Sequence, residues 1–144
     1  MQPTDRDIGA FLDSLPDDVR SDMTVLDREI SAVMEGLPRA LYDGKLWGGT
    51  AQEIIGYGLD SYVRSDGKRV EWFVVGLARQ KHYLSVYINA VEERQYLAEK
   101  YGKAVGKVKV GKSSIGFRRL ADIEIDRLVA LVARAREIAA AGGG

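Results

Sequence analysis

The chain has no cysteine and one histidine among 144 residues. Disulfides, iron–sulfur clusters, thiolate zinc sites and cysteine nucleophiles are therefore excluded, and an imidazole-based metal site would need carboxylates from elsewhere. Proline occurs three times. No apolar run approaches the roughly 18 residues of a membrane span, and no basic segment followed by an apolar stretch opens the chain as in a signal peptide. These features predict a cytoplasmic protein that neither enters a membrane nor needs staples to fold. Net charge is also missing: Lys and Arg together number 21, as do Asp and Glu. A neutral chain does not favour nucleic acid as a partner.

The charge is nevertheless unevenly spread. Residues 1–66 hold 13 acidic and 6 basic side chains, whereas residues 67–144 hold 8 and 15. That asymmetry fits an anion-binding face, an acidic face for cations, or head-to-tail association, beside an ordinary solvated surface. The length suits one domain, taken as residues 1–141, with residues 142–144 as a flexible glycine tail.

The central stretch, residues 54–88, alternates with the period of two that places successive strand side chains on opposite faces. Ile55, Tyr57, Leu59 and Val63, then Phe73, Val75 and Leu77, then Leu84, Val86 and Ile88 read as the apolar face of three antiparallel strands. Asp66-Gly67 supplies the positive φ that a tight hairpin turn needs. The opposite face reads Tyr62, Trp72, Val74, Gly76, Tyr83, Ser85 and Tyr87. An aromatic face left uncovered would be a platform for a protein or ligand; one covered by the last helix or by a second copy would mark a structural homodimer.

Two helical stripes flank these strands. Val19, Met23, Leu26, Ile30, Val33 and Leu37 recur at steps of three and four after Pro16, with Asp17 and Asp18 near the positive end of the helix dipole. Ile125, Leu128, Val129, Val132 and Ala135 or Arg136 form the second. A short first helix starts near Thr4, and residues 92–101 read as another. Residues 39–53 read as a loop carrying Trp47, and Lys107-Val-Lys-Val with Ser114-Ile-Gly-Phe reads as an extended basic edge beside the sheet. The fold class is α+β, a two-layer sandwich with an antiparallel sheet of four to five strands and helices on one face.

Chemistry-bearing motifs are few. Gly106, four residues, then Gly111-Lys112-Ser113 matches the spelling of a phosphate-binding loop, but its interior alternates like a strand and no helix is predicted after it, so the match is rejected. Lys109, Lys112, Arg118 and Arg119 remain as a small-anion set, and Lys81, Lys112 and Ser113 as the centre of an alternative basic pocket serving a small-molecule binder or an enzyme. The candidate ligand or partner surface is Trp47, Tyr62, Trp72, Lys81, Tyr83, Tyr87, Lys109, Lys112 and Ser113. Asp18 and Asp22, on the solvent side of the second helix, are candidate ligands for a hard cation. No triad spacing or paired carboxylate identifies a catalytic residue.

Leu46-Trp-Gly-Gly, Ile54-Ile-Gly-Tyr-Gly, the segment VGLARQKHYLSVYI and the segment VGKSSIGFRRLADIEID together resemble the YdhG-like family, catalogued as domain-of-unknown-function family 1801. The resemblance implies a two-layer α+β architecture similar to that of frataxin. It also implies a non-enzymatic binding or adaptor role, with intracellular iron binding and delivery as the most concrete form. The family supplies no agreed catalytic residues.

Overall fold

The computed structural model describes residues 2–46, 50–63 and 65–142, and for residues 46, 50 and 60–63 the backbone alone. Its frame is a seven-stranded sheet in which every neighbouring pair is antiparallel. The strands are β1 (Gln2–Pro3), β2 (Arg39–Leu46), β3 (Thr50–Tyr57), β6 (Val75–Arg79), β7 (Leu84–Ile88), β10 (Lys109–Val110) and β11 (Ser114–Phe117), in the order β1-β2-β3-β6-β7-β11-β10. Two hairpins stand apart from it, β4 (Asp60–Val63) with β5 (Arg69–Trp72) and β8 (Val91–Glu92) with β9 (Gln95–Tyr96). The described residues also form four α-helices: α1 (Ile8–Asp13), α2 (Asp17–Val33), α3 (Leu97–Tyr101) and α4 (Ile125–Ala140).

The expected α+β sandwich is therefore present, with more strands than the four to five expected. Met23, Leu26 and Ile30 of α2 and Leu128, Val132 and Ala135 of α4 are fully buried against Leu41, Ile55, Leu77, Val86, Ile88 and Ile115 of the sheet. Each such side chain contributes about 1.5–3 kcal/mol by leaving water, and this layer is the main core. Both stripes read from the sequence lie where their spacing places them. Arg136 does not continue the second one; its Nη1 donates to the carbonyls of Val33 and Glu35 at 2.8 and 2.7 Å, closing the C-terminal end of α2.

Several local expectations fail, each for a stated reason. Residues 39–53 are not a loop: β2 and β3 pair from Arg39↔Tyr57 to Leu46↔Thr50. Leu41 and Ile55 face the main core while Tyr42 and Ile54 are buried on the other side, and a strand buried on both faces shows no alternation. The expected first strand breaks at Gly58, whose φ of 77° lies in the left-handed region, and Leu59 beyond it is 55% exposed. The irregular link after β5 turns Phe73 to the second face and Val74 to the main core, while Val75 and Leu77 lie in the main core as expected. Residues 92–101 are a hairpin followed by the short α3 rather than one helix. The first helix starts later than Thr4. Asp7 caps it, accepting the Ala10 amide at 2.9 Å, and the Thr4 hydroxyl donates to the Leu41 carbonyl at 2.7 Å.

The second face of the sheet is not an open aromatic platform. Phe73 is 1% exposed and covers Gly56 and Gly76. Trp72 stacks on it with ring centroids 4.4 Å apart, and Tyr42 meets its edge at 5.1 Å. Tyr87 flanks the same cluster. The chain closes the centre of this face itself, using the link between β5 and β6, while α4 lies on the other side. Among the described residues no helix is long and apolar enough to cross a membrane.

One polar group sits inside the main layer. Asp27 shares the α2 stripe with Met23 and Ile30 and is 7% exposed. It accepts the Tyr57 hydroxyl at 2.6 Å and both the Nε and Nη2 of Arg39, which joins α2 to β2 and β3. Burial first, then the facing Asp27 carboxylate, holds the Tyr57 hydroxyl proton on well above the usual tyrosine range.

Candidate functional site

What remains open on the second face is the strip over β7, β11 and β10. Cross-strand register builds it: Ser85 pairs with Gly116 and Gly116 with Lys109, so these three positions share one row and one face. Tyr87 and Ser114 form the neighbouring row. Alternation extends the face to Tyr83 before β7, Lys107 before β10 and Arg118 after β11. All of these residues line a groove of about 730 Å³, together with His82, Phe117 and Asp122.

The absence of a side chain at Gly116 shapes the floor. A Cβ there would stand 3.3 Å from Cδ2 of Tyr83 and 3.4 Å from its Cε2, so the ring lies against the bare backbone of β11. Tyr83 is 48% exposed, which leaves ring surface to the groove. Deeper in, the Tyr87 hydroxyl accepts Nε2 of Gln80 at 3.1 Å. Burial raises its pKa, so it remains a neutral hydroxyl at physiological pH, able to donate.

The groove is electropositive. Lys107, Lys109 and Arg118 line it, and none of the three enters an ion pair among the described residues, while Asp122 is the one carboxylate in the lining. Elsewhere on the molecule several cations are matched to carboxylates. Glu92, for example, receives the Tyr101 hydroxyl at 2.8 Å, Arg134 Nε at 2.8 Å and Lys100 Nζ at 3.0 Å, and its pKa falls to about 2 in consequence.

Of the surface residues named from the sequence, Tyr83, Tyr87 and Lys109 come together in this groove. Trp72 is packed into the aromatic cluster instead. Lys81 is exposed in the β6–β7 turn and is not part of the groove wall. Lys112 and Ser113 form the turn between β10 and β11, closed by the Gly111 amide on the Ser114 carbonyl at 2.8 Å. Lys112 there points its ammonium at the Tyr96 ring, 5.9 Å from the centroid, and the Ser113 carbonyl accepts the Ile88 amide at 2.8 Å. Strand follows that turn rather than helix, so the spelling of a phosphate loop carries no such function here. Trp47 and the Tyr62 side chain lie outside what is described; the Tyr62 backbone pairs with Val70.

Asp18 is exposed, and the Asp22 carboxylate accepts the Leu120 amide at 2.9 Å, tying α2 to the turn before α4. Among the described residues no three His, Asp or Glu side chains come together as a metal site. Sequence reading left Lys107, Ser85, Ser114 and His82 off the candidate surface. The signal was present in the spacing: Lys107 and Lys109, like Ser114, Gly116 and Arg118, recur at every second position of two adjacent extended segments.

The fold and the groove define an α+β domain with a basic, aromatic-lined concavity on the sheet face opposite its helices. No protein-family model, curated protein or solved structure matches the chain, so the resemblance to the YdhG-like family and to frataxin has no support from these comparisons.

Proposed function

We propose that the chain is a non-enzymatic binding domain that holds a small anion in the groove over β7, β11 and β10. The observation that carries this reading is the convergence on one concave surface of Lys107, Lys109 and Arg118, none of which is ion-paired among the described residues. Clustered like charges on a folded surface repel one another, and an anion bound among them relieves that repulsion with charge-assisted hydrogen bonds. Hydroxyls of Ser85, Ser114 and Tyr87 add neutral donors. Binding is favoured over catalysis because no hydrogen bond among the described residues joins His82 to Ser85, Ser114 or Asp122, and an activated nucleophile needs that contact.

Titrating the protein with inorganic pyrophosphate at low salt, followed by two-dimensional amide NMR, tests the reading. Amide shifts should concentrate at residues 83–87, 107–111 and 114–118 and weaken as salt is raised. Lys109→Ala and Arg118→Ala should each weaken binding several-fold. Shifts scattered over the surface, or equal in both variants and the parent, would sink the proposal.

A further inference from the structure

Resting on that reading, we propose that the anion is the phosphate of a free nucleoside phosphate, whose planar base stacks on Tyr83. The ring of Tyr83 packs against Gly116, which offers no Cβ, and at 48% exposure it leaves ring surface available to a ligand. Aromatic rings presented on a sheet bind nucleobases by stacking with little dependence on which base is present. Lys109 stands on the cross-strand position beside Gly116, and Lys107 and Arg118 also line the groove. A base on Tyr83 therefore leaves its phosphates within reach of three cations. The groove volume, about 730 Å³, falls in the range of small-ligand sites, roughly 300–1,000 Å³.

The charge distribution separates a free nucleotide from a nucleic-acid strand. A strand needs a basic track that follows its backbone over several phosphates. Here the formal net charge is zero, and the groove sets three cations on one short concave surface rather than along a track. The assignment owes nothing to the Gly106-to-Ser113 spelling, whose Lys112 and Ser113 lie in a turn outside the groove wall.

The experiment compares ADP, adenosine, pyrophosphate and a short single-stranded oligonucleotide on the full chain by calorimetry, with amide NMR locating each. ADP should bind in the groove about tenfold more tightly than pyrophosphate, the margin that one stacked base provides. Tyr83→Ala should remove that margin while leaving pyrophosphate binding unchanged, and Tyr83→Phe should retain it. Tyr83 is exposed, so neither variant disturbs the core; unchanged amide spectra elsewhere would show this. If ADP binds no better than pyrophosphate, base recognition is overturned and the anion site stands. If neither ligand perturbs the groove, both readings fall. An oligonucleotide that binds more tightly than ADP would reassign the groove to a polymer and overturn the free-nucleotide proposal.

Discussion

Replacing Asp27 by alanine isolates the buried polar connection that joins α2 to β2 and β3. The substitution removes the acceptor for Tyr57 Oη and for two nitrogens of Arg39. Tyr57 is 1% exposed, so its hydroxyl is left without water or partner, a loss of about 1–3 kcal/mol. The Arg39 side chain is 36% exposed and rehydrates, so its share is that of a partly screened pair, about 0.5–1 kcal/mol. Together these give about 1.5–4 kcal/mol, or a fall in Tm of about 5–12 °C for a chain of this size. Urea unfolding followed by circular dichroism measures the free energy directly. The double variant Asp27→Leu with Tyr57→Phe removes donor and acceptor together and should come within about 1 kcal/mol of the parent, because no buried polar atom is then stranded. A loss below about 1 kcal/mol for Asp27→Ala, or a double variant as unstable as the single one, would refute this account. The pH dependence supplies a second check. Because the Tyr57 pKa is raised in the folded state, its contribution is complete below pH 10.0 and is lost as pH climbs above that value. Tyr57→Phe should therefore flatten the alkaline decline in stability.

Three further outcomes follow from other parts of the molecule. Glu92 is held near a pKa of 2 against an ordinary 4.5 by Tyr101, Arg134 and Lys100, so its stabilisation is present above pH 4.5 and disappears as pH falls toward 2; the stability gap between the parent and Glu92→Gln should close over that window in acid urea titrations. Glu93 and Arg94 occupy the β8–β9 turn with φ of 52° and 67°, which L-residues adopt at a cost, and Arg94→Gly should raise stability by about 0.5–1 kcal/mol in the same assay. A Cβ at Gly76 would stand 2.5 Å from Cε1 of Phe73 and 2.9 Å from Cγ2 of Ile54, so Gly76→Ala should destabilise by about 2–3 kcal/mol in the parent and by far less in a Phe73→Ala background.

Periodicity made the helical layer and much of the main core readable before any coordinates. The stripe from Val19 to Val33 and the one from Leu128 to Ala135 need only 3.6 residues per turn to define a buried face, and Leu84, Val86 and Ile88 need only a period of two. The basic edge was equally legible, as alternate lysines in a stretch too glycine-rich for a helix. The groove was half legible: Tyr83, Tyr87, Lys109 and Arg118 were singled out, but on different surfaces.

Tertiary structure alone decided the rest, because period-two reasoning holds only until the chain bends. The break at Gly58 ends the first alternating run, and the link after Trp72 exchanges Phe73 and Val74 between faces, which the apolar pattern does not announce. The strand Arg39–Leu46 escaped notice because side chains on both of its faces are buried, which erases alternation. Asp27 reads as a flaw in an apolar stripe until Arg39 and Tyr57, 12 and 30 residues away, are seen to meet it. The groove likewise exists only through register. Pairing β7 with β11 and β11 with β10 sets Tyr83 on Gly116 beside Lys109, a juxtaposition of residues distant in sequence that cross-strand hydrogen bonding, and not local propensity, determines.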